Sequence, residues 1–369
     1  MPSTATVRCN LGAITVLLAA LASQASCTCG TTPEKEPQAK PTTKSAPTKP
    51  TPPAAGKTPK AGAEAEAPSL LPGPRNLPRG RSLFTGTSEF SKMRVVQNKT
   101  LRTLEFIKDG GKRMRQTSVD VTAPYTLQYD YAKAMFASLV LRPAHDRVLL
   151  VGLGGGGMVH FLNHFFPETK VDIVDIDPVV VQVAREWFGI DNSEQNTVFT
   201  ADGVAHIDQA APHSWDVIYM DVFLKPTAEG TNSAGVPKTT THRQFLERLR
   251  KRLRPGGLLV FHMHHKSDTQ LDIATIEAVF PQVRRVRRGS NIVVYASGGE
   301  LPSAEVMTTR AKELDEAADH GFSFTGLTRV MEGSGLTEHK KAPATKAPPT
   351  RPGVVPPSHQ PTPPNAPIQ

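Results

Sequence analysis

The stretch that most constrains this chain is VLLVGLGGGGMVHFLNHFFPETKVDIVDIDP, residues 148–178. An apolar run meets five glycines, a helical pattern follows, and a second apolar run ends in Asp175 and Asp177. Two strands joined by a helix pair in parallel, because the crossover returns the chain to the end of the sheet it left. Glycines at the first turn let the backbone bend sharply and let a ligand approach the start of the helix. This is the layout of a nucleotide-binding β-α-β unit.

The alternation continues downstream. "TVFTAD", "WDVIYMD", "LLVFHMH", "VRRVRR" and "NIVVYAS" read as strands separated by helical patterns or tight turns. The expected fold class is α/β: a Rossmann-like, mostly parallel seven-stranded sheet covered by helices on both faces. Upstream, "KMRVVQ", "TLRTLEFI" and "KRMRQTSV", with Asp109-Gly110-Gly111 as a turn, predict a small antiparallel β unit. In "YTLQYDYAKAMFASLVL", Leu127, Tyr131, Met135 and Leu139 fall at helical spacing, and Pro143 ends the run. The boundaries read as 82–142 for this N-terminal unit and its helix, 143–300 for the nucleotide-binding domain, and 301–335 for a helical extension.

The flanks differ in composition. Of 33 prolines, 12 lie in residues 31–80 and 10 lie after residue 340. These segments, a linker at 30–81 and a tail at 336–369, hold almost nothing to bury and are expected to be disordered. They also carry the formal net charge of +9: residues 31–81 contribute +5 and residues 340–369 contribute +4. The folded body is near neutral, so no nucleic-acid partner is expected, since that would require a basic patch on the folded surface.

Residues 1–29 have the proportions of a secretory signal, with Arg8 before the apolar stretch Leu11–Ala22. Two processing routes fit: a general signal-peptidase site at Ser23-Gln24-Ala25, or lipidation of Cys27 in "LASQASC". The expectation is export, to a bacterial periplasm or to a membrane through a lipid anchor at Cys27. The chain is cytoplasmic if this segment is not a working signal. All three cysteines, Cys9, Cys27 and Cys29, lie here, so disulfides and thiol catalysis are excluded from the folded body.

Gly152, Gly154 and Gly157 satisfy G-x-G-x-x-G, which fits nicotinamide and adenosyl ligands alike. Asp175 ends the second strand, where a carboxylate can accept both ribose hydroxyls. Asp202, after the third strand in "TADGVAHI", is placed to accept from an adenine amino group, and Asp221 ends the fourth strand. A nicotinamide ligand does not account for the last two acids; an adenosyl-sulfonium ligand does.

"VLLVGLGGGG", "VDIVDIDPVVVQVAREWFGI", "ADGVAHI", "WDVIYMDVF" and "GVPKTTTHRQFLERLRKRLRPGGLLVFH" together resemble the spermidine-synthase-like family of the S-adenosylmethionine-dependent methyltransferase superfamily. The resemblance covers about residues 86–300. It implies an adenosyl co-substrate, S-adenosylmethionine or its decarboxylated form, held by Gln116, Gly152, Gly154, Gly156, Asp175, Asp202 and Gly203. It implies Asp221 at the reacting centre and a homodimer or tetramer; Tyr131 is kept toward a small amine acceptor, Glu229 of loop 224–238 is read as a stand-in for a missing amine-binding acid, and no metal is expected.

Three positions depart from the family pattern. Aminopropyltransferases usually carry an Asp at the position of Gly155, where it attracts the ammonium of the decarboxylated donor. Leu224 stands where they tend to have a second acid, and Tyr131-Ala132-Lys133 replaces a Tyr-His-Glu-like stretch. Three readings stay open: amine alkylation of the spermidine-synthase kind, methyl transfer, and a non-catalytic exported nucleotide-binding module. Loop 224–238 is expected to gate the site. "HMHH", residues 262–265, puts His262 and His264 on one side of a strand without an evident carboxylate, a weak metal site. "RRVRRG" is expected to alternate about Val286 on a soluble edge strand.

Overall fold

The computed structural model describes residues 71–224 and 229–333. The leader, Cys27 and the other cysteines, linker residues 30–70 and the tail 336–369 lie outside the described residues.

The N-terminal unit is a four-stranded antiparallel sheet: β1 (Leu77–Thr87), β2 (Lys92–Lys99), β3 (Leu101–Ile107) and β4 (Arg113–Asp120), paired in that order. The glycine turn at Asp109–Gly111 joins β3 to β4, as its sequence predicts. The first strand starts inside the stretch read as linker, and Leu71 is already buried. Buried Arg102 draws this segment in. Its guanidinium donates to the carbonyls of Pro72 (2.7 Å), Pro74 (3.2 Å) and Trp187, and to Gln97 Oε1 (2.9 Å). Proline-rich composition concealed that anchorage, because backbone carbonyls accept whatever side chain follows them.

The expected helix over "YTLQYDYAKAMFASLVL" forms as two short pieces, α1 (Asp130–Met135) and α2 (Ser138–Leu141). Leu127, Met135 and Leu139 are nevertheless buried, so the apolar spacing marked the right face.

The main sheet follows with β5 (Arg147–Val151), α3 (Gly157–Phe165), β6 (Lys170–Asp175), α4 (Pro178–Phe188), β7 (Asn196–Thr200), α5 (Gly203–Gln209) and β8 (Trp215–Met220). Then come α6 (Arg243–Arg252), β9 (Leu253–His264), α7 (Thr269–Val279), β10 (Gln282–Arg288) and β11 (Asn291–Ser297). The chain then forms α8 (Ala304–Ala317), α9 (Phe324–Thr328) and β12 (Met331–Gly333). Strand order is β12-β10-β11-β9-β8-β5-β6-β7, with β5 to β9 parallel and the β9-β11-β10-β12 pairings antiparallel. Alternate residues of each central strand enter opposite cores. Val148, Leu150, Val217 and Tyr219 face one, and Leu149, Val151, Ile218 and Met220 face the other.

The sheet has one strand more than expected. The extension read as helical adds β12, which pairs with Arg284, Arg285 and Val286. There β10 is not an edge, and Arg284 is buried, donating to Pro302 O (2.6 Å) and Met307 Sδ (2.7 Å). Three residues after a short helix are too few for a period-two pattern to be read.

Sheet growth reverses between β5 and β8, the switch point where α/β sheets bind ligands. The N-terminal unit is fastened beside it. Ser88 Oγ and Ser91 Oγ donate to Asp177 (2.6 and 3.0 Å), which also caps α4 through Val179 N (2.9 Å). Replacing Arg102 with Leu removes the donor from three carbonyls and from buried Gln97, and should cost about 3 kcal/mol. Urea unfolding of the variant measures this, and a wild-type midpoint would refute the anchoring role.

Candidate functional site

The glycine turn is held from three sides. Gly152, Gly154 and Gly156 all have positive φ (97°, 53° and 67°), which side-chain-bearing residues rarely adopt. A Cβ at Gly152 would stand 2.1 Å from the Asp221 carbonyl oxygen, so only glycine permits this approach of β5 to the end of β8. Leu153 N–H donates to Asp175 Oδ2 (2.8 Å), Gly155 N–H to Thr117 Oγ1 (3.0 Å), and Asp221 N–H to Val151 O (2.9 Å).

A cavity of about 710 Å³ opens above the turn. Asp175, Asp202 and Asp221, from the ends of β6, β7 and β8, all border it, as do Gln116, Tyr131, Gly152, Gly154, Gly203 and Glu229. Gly156 does not. It precedes α3, and its Cβ would press on Ile190 at 2.3 Å, so it serves packing.

The acids are held differently. Burial raises the pKa of Asp175, against the opposing pull of backbone N–H groups at Asp177 and Leu153. Asp202 is exposed and caps α5, its Oδ1 accepting from Ala205 N–H (2.8 Å). Gln116 occupies a β-bulge: Leu104 pairs with Thr117 and Glu105 with Arg115, leaving Gln116 unopposed beside the cavity. Bulges commonly re-aim side chains at sites. No sequence pattern revealed this one.

Asp221 has a partner that sequence reasoning missed. His262 Nδ1 lies 2.8 Å from Asp221 Oδ1, and His262 Nε2 lies 3.0 Å from Asn291 Oδ1. The missing carboxylate beside "HMHH" is therefore Asp221 itself, on the adjacent parallel strand. Forty-one residues separate the pair in sequence, so only strand order brings them together. Tyr131 stacks on the His262 ring (3.9 Å between centroids, 8° between planes). Burial first, and the Asp221 charge second, hold the Tyr131 hydroxyl well above the ordinary tyrosine range. Among the described residues, no group of three or more His, Cys, Asp or Glu is placed to hold a metal ion.

The loop expected to gate the site is tied down where it is described. Asn232 Nδ2 donates to Asp272 Oδ2 (2.8 Å), Ser233 donates through N and Oγ to Asp268 (2.8 and 2.6 Å), and Leu224 N–H bonds Gly235 O (2.8 Å). Glu229 is exposed, and Lys133 pairs with Asp130 (3.3 Å). Gly155 is buried, and its Cβ would meet the Phe188 ring at 3.0–3.2 Å. Gly155 is not part of the cavity wall.

A reversed parallel sheet with a glycine turn and strand-end acids defines a Rossmann-like transferase fold of the methyltransferase type. Residues 133–296 match the spermine/spermidine synthase domain. Over these residues the chain is similar to that domain, and it is also similar to a polyamine aminopropyltransferase. That of Vibrio vulnificus (strain CMCP6) is 27% identical over 236 residues, 62% of this chain and 76% of that protein. The Homo sapiens eEF1A lysine and N-terminal methyltransferase is 31% identical over 182 residues, but this chain spans only 26% of its length. A crystal structure of a probable spermidine synthase from Corynebacterium glutamicum ATCC 13032 shares the fold, with a TM-score of 0.52 and 20% identity, covering 64% of this chain and 88% of that one.

The glycine geometry separates two kinds of substitution. Gly110→Ala, with positive φ but nothing within 4 Å, should cost about 1–2 kcal/mol. Gly152→Ala adds a backbone collision and should cost at least about 2 kcal/mol more. Equal denaturation midpoints for the two variants would contradict the close approach.

Proposed function

We propose that this protein is a transferase that uses an adenosyl-sulfonium donor, S-adenosylmethionine or its decarboxylated form, to alkylate an amine on a small acceptor. The observation that carries the proposal is the convergence of Asp175, Asp202 and Asp221 on one cavity above a glycine turn. Asp175 suits the ribose hydroxyls, Asp202 the adenine amino group, and Gln116 with the turn the remainder of the nucleotide. Tyr131 and Glu229 face the acceptor side. The homology to transferases of both aminopropyl and methyl groups supports the reaction class.

The chemistry is a displacement at a carbon bonded to the sulfonium sulfur. The amine lone pair forms the new N–C bond, the C–S bond breaks, and its electrons neutralise the sulfur. The donor carries its own leaving group, so alignment of the amine is the protein's main task. Asp221 accepts a hydrogen bond from the amine and holds the proton released from the alkylated nitrogen before water removes it.

A second reading, methyl transfer from ordinary S-adenosylmethionine, is favoured by Gly155. An acid there would have to displace Phe188 and would start outside the cavity wall. Calorimetry on the full chain decides between the two. A tenfold preference for the decarboxylated donor, about 1.4 kcal/mol, would favour aminopropyl transfer, and the reverse preference methyl transfer. If neither donor binds, nor methylthioadenosine nor S-adenosylhomocysteine, only a non-catalytic module remains.

Ribose recognition needs the ionised form of Asp175, and burial raises its pKa. Nucleotide affinity should therefore weaken as pH falls, starting above the ordinary carboxylate range near about 4. Asp175→Asn should bind more weakly at pH 7 and lose that pH dependence. An unchanged profile in the variant would assign the ribose contact elsewhere.

Export by residues 1–29 is likewise proposed, with Cys27 as one anchoring point. Mass spectrometry of the mature N-terminus after cell fractionation tests it, and an intact leader on cytosolic protein would exclude it.

A further inference from the structure

His262 has no part in the displacement described above, yet its ring is hydrogen-bonded to Asp221. It is buried, at 2% exposure, near the end of β9. The elements packed round it leave little freedom. Tyr131 of α1 covers one ring face. Phe223 meets the ring edge-on at 5.0 Å and 70°, and His264, two residues along the strand, stands 5.2 Å away at 72°. Asn291 opens β11 and closes the far side through its amide.

The hydrogen-bonding chemistry is restrictive. An ionised carboxylate only accepts, so the Nδ1 that faces Asp221 at 2.8 Å must carry a hydrogen. Nε2 is engaged by the Asn291 amide, donating to its oxygen as placed, or accepting from its nitrogen with the amide turned over. In either case both ring nitrogens are taken up inside the protein. His262 therefore has no nitrogen free to receive a proton from a molecule in the cavity, and it is not the base.

It can, however, fix the acid. One Asp221 oxygen is pinned by a rigid N–H whose own orientation is set by Asn291 and the Tyr131 stack. Both side chains border the cavity, but Asp221, at 18% side-chain exposure, offers it far more surface than His262 at 3%. Outer partners of this kind orient a functional group and restrict its rotation. We propose that His262 is the positioning residue of the acceptor side, clamping Asp221 through Nδ1–H so that the second carboxylate oxygen is presented to an amine. This rests on the reading that Asp221 faces the acceptor.

The alternative is a buried histidine that merely fills space, and the tautomer separates the two. In side-chain nitrogen–proton spectra of the full chain, the His262 signal, assigned by its loss in His262→Gln, should show a protonated Nδ1. In Asp221→Asn the new amide can donate to Nδ1, and Nε2–H can donate to Asn291, so the ring should switch to the Nε2–H form. An unprotonated Nδ1 in the wild type, or a tautomer indifferent to Asp221→Asn, would overturn the clamp. His262→Phe keeps an aromatic ring against Tyr131 and guards against a trivial folding defect. Its affinity for methylthioadenosine or S-adenosylhomocysteine, whichever the wild type binds, should stay within about threefold. A larger loss would place His262 on the nucleotide side and refute an acceptor role. Absence of nucleotide binding by the wild type itself would instead strike at the transferase reading, leaving the tautomer test of the clamp standing.

Discussion

The site depends on one backbone contact, the approach of Gly152 to the carbonyl of Asp221. Neighbouring parallel strands diverge as a sheet twists, and a side chain at the end of either would hold their tips apart. Removing the side chain at Gly152 lets β5 and β8 turn away from each other while still touching. The glycine turn then folds over the end of the sheet, Asp175 steadies it from β6, and Thr117 braces it from the N-terminal unit. The position of Asp221 over the cavity follows from this closure.

Two sheets share the work. The parallel sheet supplies the acids, and the antiparallel unit supplies Gln116 and Thr117 through a bulged strand. They are joined at Asp177, which satisfies a helix N-terminus and two serine hydroxyls at once. The sequence pairs Asp175 and Asp177 as near-equals, but the structure divides their tasks. Both border the cavity, but the Asp175 carboxylate lies on the turn, while that of Asp177 is buried and taken up by the serines and the helix start in the joint between the sheets.

The legible part of the fold was the part written in local pattern. Apolar runs, glycines and strand-end acids lie next to one another in sequence, and they located β5 to β11 and the cavity acids. What escaped was set by distant partners. His262 acquires its role from Asp221 and Asn291, each on a different strand. Gln116 is named by the family resemblance alone, the bulge that turns it comes from a register shift with β3, and β1 is drawn into the fold by Arg102. None of these leaves a periodic trace. The residue-type cue that was available, a histidine alternating with another on an otherwise apolar strand, named the strand but not the partner.

Phe188 closes α4, accepts a hydrogen bond from His160 through its carbonyl (2.8 Å), and lays its ring against Gly155. A carboxylate acquired at residue 155 would press on this ring, which would have to shift by a few tenths of an ångström to admit it. Substitutions at 155 and 188 are therefore expected to be coupled, so that the end of a helix shares in what the glycine turn can accommodate.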